Sequence, residues 1–444
     1  MIFSSLPFLF FFFIFFILIK TLNRKFYPFL IFSSSYLFYA YSNFYHSLII
    51  MYLCFLAITQ KEKNFKLKYI IPLIILPLIF FKYSNFILNN LSMFFNFHIT
   101  EYEIKKIPIG LSFITFTVIA YVVDLKKGSF NFKHSRFDTI NYIFFFPQLI
   151  AGPILRPNQL LLQLKEKFKI NKSNIISGIS LFAIGLSKKI FIADTISEII
   201  DPIFLDINSA SSSEVFVAFF LFPHQIYFDF SGYTHMAIGL AIIFNIELPD
   251  NFNKPYLSST ITEFWKRWHI TLSSWIRDYI YIPMGGSRVT FYLVLFNTIV
   301  AMTISGLWHG ANYTFIIWGL CNGLIICVEK VLNYNSRKFK PIKIFINIFL
   351  VFNLWILFRC SSIENAINFY ELLYTSEFFS IFVENYYVAL ISIFFISFQM
   401  IDKTKIYLKF FKDKIFIIYI ALTIIIFSMI ISGGQSQRFI YFDF

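Results

Sequence analysis

Long apolar runs separated by short basic or acidic loops set the pattern of this chain. Runs of about 18 or more apolar residues recur, each long enough to cross a hydrocarbon core of roughly 30 Å. The opening run, MIFSSLPFLFFFFIFFILIKTLNRKF, has no charge ahead of its apolar stretch, and Lys20, Arg24 and Lys25 follow it. With no small-residue cleavage site, it reads as a retained first spanning helix, amino end outside, and not as a signal peptide. Between residues 26 and 60 two apolar runs part near Tyr41-Ser42, which predicts a hairpin. Residues 69 to 84 then go out and 107 to 123 come back. The last helix is expected at about 415 to 432, before a tail ending RFIYFDF.

Loop charge supplies orientation, because cytoplasmic loops carry excess Lys and Arg. Lys61, Lys63, Lys66 and Lys68 mark one such loop, and Lys126, Lys127, Lys133 and Arg136 another. Arg337 to Lys343 and Lys403 to Lys414 mark two more. The stretch EIIDPIFLDINSASSSE, ending at Glu214, has four acids and no base and is expected outside, as is SSIENAINFYELLYTSEFF. Segment 137 to 155 has basic loops at both ends, which one crossing does not satisfy. Pro147, Gly152, Pro153 and Pro157 in FFPQLIAGPILRP break helices. A re-entrant segment meets both constraints, its irregular backbone buried in protein or lining a wet cavity; a kinked spanning helix is the alternative. The pattern predicts an all-α polytopic membrane protein with roughly eleven to thirteen membrane segments, some re-entrant. No soluble domain, long linker or repeat interrupts it, so residues 1–444 are expected to form a single domain.

Composition agrees. The chain is 58% hydrophobic and 14% charged, where a soluble domain is about a quarter charged. The formal charge of +14 belongs with the cytoplasmic loops, and neither a Gly-rich phosphate loop nor an RNA-binding signature points to nucleic acid. The 64 phenylalanines read as the usage of an AT-rich genome, not as a binding feature. Cys54, Cys321, Cys327 and Cys360 lack metal or disulfide spacing and read as packing residues.

Residues 224 to 312 break the greasy pattern. They hold His224, His235, His269 and His309, four of the seven histidines. Thr260-x-x-Glu263 is a capping-box pattern that opens a helix, which Pro283 and Gly285-Gly286 close. Between them lie Glu263, Lys266, Arg267, Arg277 and Asp278. Each such charge costs about 2.5 to 3.5 kcal/mol at a bilayer centre, on the order of 12 kcal/mol or more together. This is no ordinary spanning helix. Trp265, Trp268, Leu272 and Trp275 share one helical face, His269 lies at its edge, and Glu263 and Arg267 are i, i+4 partners. Either the helix lies at the membrane surface or it folds into the protein beneath a cytoplasmic funnel. Upstream, Asp229, Ser231 and His235 sit within an apolar run. An ionisable group at that depth is a functional candidate; the alternative for Asp229 is a buried carboxylate held by a neighbouring Arg or backbone donors. Residues 291 to 308 carry His309 to depth, and Gly306 and Gly310 leave room for another helix or a substrate to approach Trp308 and His309.

These groups suit acyl transfer to a hydroxyl. Imidazole, with an unperturbed pKa near 6.5, can withdraw the hydroxyl proton, which contributes about 10²–10⁴-fold. A second polar group can hold the carbonyl oxygen as it gains charge. No Gly-x-Ser-x-Gly elbow is present and no cysteine is close in sequence to His269 or His309, which favours direct transfer over an acyl-enzyme. Neither His-Glu-x-x-His nor Cys-x-x-Cys occurs, so no metal is expected.

Five stretches, PIGLSFITFTVIAYVVD, FFPQLIAGPILRP, DFSGYTHMAIGLA, NFNKPYLSSTITEFWKRWHITLSSWIRDYIYIPMGGSR and SGLWHGANYTFIIWGL, occur in order over residues 108 to 320. The series resembles the bacterial membrane-bound O-acyltransferases, in particular the alginate O-acetylation membrane protein and its peptidoglycan relatives, and the ending FIYFDF is similar too. The resemblance implies a multi-helix fold around a central funnel. His309 would be the catalytic base and His269 the second signature histidine. Asp229, Ser231, Asn253, Trp265, Arg267 and Trp268 would line the funnel for donor and acceptor, with Arg277, Asp278, Trp308 and Asn312. The resemblance further implies an activated acyl donor in the cytoplasm, acetyl-CoA above all, and no bound cofactor. The acceptor would be a polysaccharide, reached with a secreted or periplasmic acetyltransferase partner, and the location the inner membrane. The family more usually has Asp where this chain has His235, so His235 is left outside the catalytic set. D-alanyl transfer from a carrier protein to teichoic acid is the rival within the family, and a glycolipid transporter or flippase the rival outside it.

Overall fold

A computed structural model describes residues 1–95, 107–130, 132–333, 339–411, 414–433 and 439–440. Arg337 and Lys338 of the basic loop expected at Arg337 to Lys343, Lys412 in the loop after it, and all of the closing tail except residues 439–440 lie outside them; Lys340 and Lys343 stand in the first turn of the helix Lys340–Arg359. Every regular element among the described residues is helical. Among the described residues six helices are long and apolar enough to cross a bilayer: Phe44–Lys63, Leu67–Phe95, Lys172–Leu205, Phe291–His309, Tyr313–Val331 and Lys340–Arg359. Phe378–Glu384 with Tyr386–Phe398, bent by 71°, makes a seventh if taken as one span. The first and last apolar runs form shorter helices, Leu6–Thr21 and Phe416–Ile431. The chain is a multi-pass membrane protein; Ser212–Ile243 is a further continuous helix of 32 residues, and the other expected membrane segments are shorter or broken helices.

Two compact units divide the chain. The first contains Met1–Leu186, Tyr233–Pro249 and Phe411–Arg438. The predicted hairpin is there: Tyr27–Ala40 and Phe44–Lys63 part at a turn, where the Asn43 side chain caps the second helix by accepting from Tyr45 N–H (2.9 Å). The proline-rich segment is broken, with helices Arg136–Phe144, Phe146–Leu149 and Pro157–Leu162. Residues 141–155 are all buried, so side chains must meet backbone groups that no helix satisfies. Phe146 N–H donates to Ser35 Oγ (3.2 Å) and the Tyr142 hydroxyl to the Leu155 carbonyl (2.8 Å). The Phe146 ring sits among those of Phe11, Phe15 and Phe38, 5.5–5.8 Å away. The phenylalanines here are core.

The second unit contains Ser187–Gly232, Asp250–Phe410 and Phe439–Phe444. It carries every residue singled out for the funnel. One expectation fails here. Thr260 to Pro283 is not a single helix but Ile261–Trp265, Ile270–Ile276 and a π-helical turn, Arg277–Tyr281. The reason is competition for backbone partners. Ile270 N–H, which a continuous helix would direct back four residues, donates to the Asn251 carbonyl (3.0 Å), and the Arg267 carbonyl accepts from Asn253 N–H (2.9 Å). The break puts His269 in the left-handed region at φ 41°. A non-glycine residue there costs roughly 1–3 kcal/mol, and such residues cluster at functional sites. The predicted cap forms on one side: Thr260 Oγ accepts from Glu263 N–H (2.9 Å). The Glu263 carboxylate turns to Ser259 N–H (2.7 Å) and, as predicted, to Arg267 (2.5 Å).

Candidate active site

His309 ends the Phe291–His309 helix, and Tyr313–Val331 starts three residues beyond Gly310. The two helices pack backbone to backbone. A Cβ on Gly306 would lie 2.2 Å from the Phe315 carbonyl oxygen, and one on Gly319 2.5 Å from that of Met302. The room predicted at Gly306 is therefore taken by a helix. At Gly310 it is taken by the Phe315 ring, 2.0 Å from a Cβ there. Asn312 caps the second helix, its Oδ1 accepting from Thr314 N–H (3.1 Å) and its Nδ2 donating to the Ser361 carbonyl (2.6 Å). Folded this way, the hairpin sets the buried His309 imidazole among Trp308 (ring centroids 4.8 Å), Trp318 (5.4 Å, edge-on) and Phe358 (5.1 Å).

His269 reaches the same place from the broken segment. It is fully buried. Its ring stands edge-on to Phe230 at 4.6 Å and lies 6.0 Å from Trp308. One indole, that of Trp308, thus touches both imidazoles. Trp268 stacks on Phe264 (5.6 Å) and packs on Phe252 and Trp355 at 5.0 and 4.9 Å. Its neighbour Trp265 donates its indole N–H to Asn322 Oδ1 (3.0 Å) and crosses Trp318 at 5.5 Å. The structure therefore brings His269, His309, Trp308, Trp265 and Trp268 into one aromatic assembly.

The other residues singled out for the funnel make the following contacts. Asn253 is exposed and contributes its backbone N–H to the turn at Arg267. Arg277 and Asp278 pair with each other (2.7 Å), the Arg277 side chain 61% exposed. Asp229 is a buried carboxylate held by a base and a backbone donor, as the simpler expectation had it, but the base is Lys189 (3.0 Å) and the donor Ile440 N–H (2.7 Å). Ser231 Oγ accepts from Lys188 Nζ at 3.5 Å.

Those lysines lead to a buried charge cluster that sequence reasoning missed. Lys188 pairs with Asp402, which also accepts from the hydroxyls of Tyr227 (2.6 Å) and Tyr407 (3.1 Å). Lys189 bridges Asp194 (2.7 Å) and Asp229. The two lysines lie on a π-helical stretch, Lys188–Asp194, the kind of irregularity frequent at functional sites. The signal was present: Lys188-Lys189 interrupts an apolar run just as Asp229 does.

A cavity of about 330 Å³ opens beside the assembly. Its lining includes the exposed Lys266 and Arg277, the half-buried Lys330 and Met302, and the buried Trp265 and Ser305. Among the described residues no group of three or more His, Cys, Asp or Glu is placed to hold a metal ion.

Residues 36–370 match the model of the membrane-bound O-acyltransferase family. The chain is 38% identical to the probable alginate O-acetylase AlgI of Pseudomonas aeruginosa over 67% of its own length and 58% of the relative's. It is also 38% identical to a peptidoglycan O-acetyltransferase of Helicobacter pylori, over 65% of the chain and 60% of the relative. Identity to a teichoic acid D-alanyltransferase of Bacillus subtilis is 25%, over 52% of the chain and 61% of the relative. In each comparison the chain spans less than two thirds of the curated relative it matches.

Proposed function

We propose that this chain, which belongs to the membrane-bound O-acyltransferase family, moves an acetyl group from a cytoplasmic thioester to hydroxyls of an envelope or exported polysaccharide. The observation that carries the proposal is the shared contact of His269 and His309 with the Trp308 indole. The acceptor oxygen attacks the thioester carbonyl carbon while its proton passes to the His309 imidazole. A C–O bond forms, the C–S bond breaks, and the proton leaves with the departing thiolate. A neutral His269 donates a hydrogen bond to the carbonyl oxygen as charge gathers on it. The buried setting strengthens that bond by excluding water.

Higher identity to the two acetylating relatives than to the D-alanyltransferase supports acetyl as the group moved. Acetyl-CoA is the donor. The enzyme works in the inner membrane and passes the acetyl group outward with a secreted or periplasmic acetyltransferase. Membrane vesicles loaded with the acceptor polymer and given radiolabelled acetyl-CoA test the reading. Label should appear on the polymer in a donor-dependent way. A transporter or flippase would move glycolipid without donor and leave the polymer unlabelled, and that result would overturn the proposal.

A further inference from the structure

We infer that Asn322 and Glu329 are positioning residues for the transfer, which fix the segment leading to His269 against the helix hairpin that carries His309. The inference rests on the acyl-transfer reading above. Apolar burial, the main attraction among the rings around the two imidazoles, is non-directional. Hydrogen bonds weaken steeply as donor and acceptor swing out of line, so they set a register.

Trp318, Asn322 and Glu329 stand at i, i+4 and i+11 of the helix Tyr313–Val331, which puts them on one face. The short helix Ile261–Trp265 runs along that face in the opposite sense. At its start the Glu329 carboxylate accepts from Ile261 N–H (2.6 Å), Thr262 N–H (3.0 Å) and the Thr262 hydroxyl (2.6 Å). First-turn N–H groups like these have no partner within their own helix. At its end the Trp265 indole N–H donates to Asn322 Oδ1 (3.0 Å), and the Trp265 ring crosses that of Trp318 at 5.5 Å. Asn322 is buried, and its Nδ2 donates to the Trp318 carbonyl one turn back (2.8 Å), which turns the amide oxygen toward Trp265. The segment is thus led from position 329 to position 318, toward the end of the helix that begins three residues beyond Gly310.

Both histidines are reached from that end. Trp318 meets His309 edge-on at 5.4 Å. It also stacks on Trp355 (5.9 Å, 26°), which packs at 4.9 Å on Trp268, the residue before His269. At His269 itself the backbone is left-handed, with φ 41°, a conformation that persists only where the surroundings enforce it. With either tie removed, the segment slides on the helix and carries the His269 imidazole away from the carbonyl oxygen it serves.

The test uses the full chain in inverted membrane vesicles that carry the envelope polysaccharide of the same cells, given radiolabelled acetyl-CoA. Label on the polymer is read per folded molecule, the folded fraction being measured by size exclusion. Asn322→Leu, which keeps the branched shape and removes both hydrogen bonds, and Glu329→Ala should each lower kcat by about 10²-fold, the cost of a misplacement of about 1 Å. KM for acetyl-CoA should change far less. In a His269→Ala background the same substitutions should cost less than about threefold, because the group they position is gone. A tie that served the fold alone would lower the folded fraction and leave kcat per folded molecule unchanged, and that result overturns the inference. So does an equal loss with and without His269. Where Asn322→Leu does not fold, Glu329→Ala decides; where His269→Ala leaves too little label to measure, the split between kcat and KM decides. Wild type that labels no polymer overturns the reading of function instead.

Discussion

The imidazole of His269 and the indole of Trp308 lie 6.0 Å apart, centroid to centroid, although thirty-nine positions separate them in the chain. Since Trp308 is also in contact with His309 at 4.8 Å, it links the positions of the two imidazoles.

Trp308→Ala should therefore uncouple them. A misplacement of about 1 Å costs on the order of 10²-fold in rate, and that is the loss expected in kcat. Removing a buried tryptophan also costs about 3–5 kcal/mol of stability. Steady-state kinetics on the folded fraction, isolated by size exclusion, separates the two effects.

Breaking the Lys188–Asp402 pair should destabilise the fold. The side chains are 3% and 1% exposed, and removing one partner of such a pair costs about 3–5 kcal/mol because the other charge stays buried. Asp402→Asn and Lys188→Met should each lower the unfolding temperature in detergent well below that of wild type. Lys188→Met combined with Asp402→Leu should recover much of the loss, since no lone charge is then left.

Gly306 has no room for a methyl group. A Cβ there would sit 2.2 Å from the Phe315 carbonyl oxygen, so Gly306→Ala must part the two helices. Overpacking of this kind costs about 1–3 kcal/mol. Thermal unfolding should show the loss, and acetyl transfer should fall with it because His309 closes the same helix.

Arg277, exposed and paired only with its neighbour Asp278, should behave differently. Exposed pairs contribute about 0–1 kcal/mol, so Arg277→Ala should leave the unfolding temperature near wild type. Because Arg277 lines the cavity, its loss should raise KM for the donor more than it lowers kcat, and the difference should shrink as salt is added.

Much of this was legible in the sequence, and the limits are physical. The Tyr41–Asn43 hairpin, the break at residues 145–156 and the burial of His309 follow from local apolarity, proline and glycine. The Glu263–Arg267 pair follows from helical spacing. The broken helix at His269 does not, because the Asn251 and Asn253 backbone groups that outbid it lie some sixteen residues away. Lys188 and Asp402 are 214 positions apart, and only the fold brings them together. Asn312 and Asn253 were singled out beside motif residues, yet one caps a helix and the other closes a turn.

The central claim is that the His309 imidazole takes the acceptor's proton. Single-turnover acetyl transfer by purified His309→Ala, with folding verified by size exclusion and thermal unfolding, tests it most directly. The account predicts a rate about 10²–10⁴-fold below wild type. Transfer at the wild-type rate by the folded variant would contradict it.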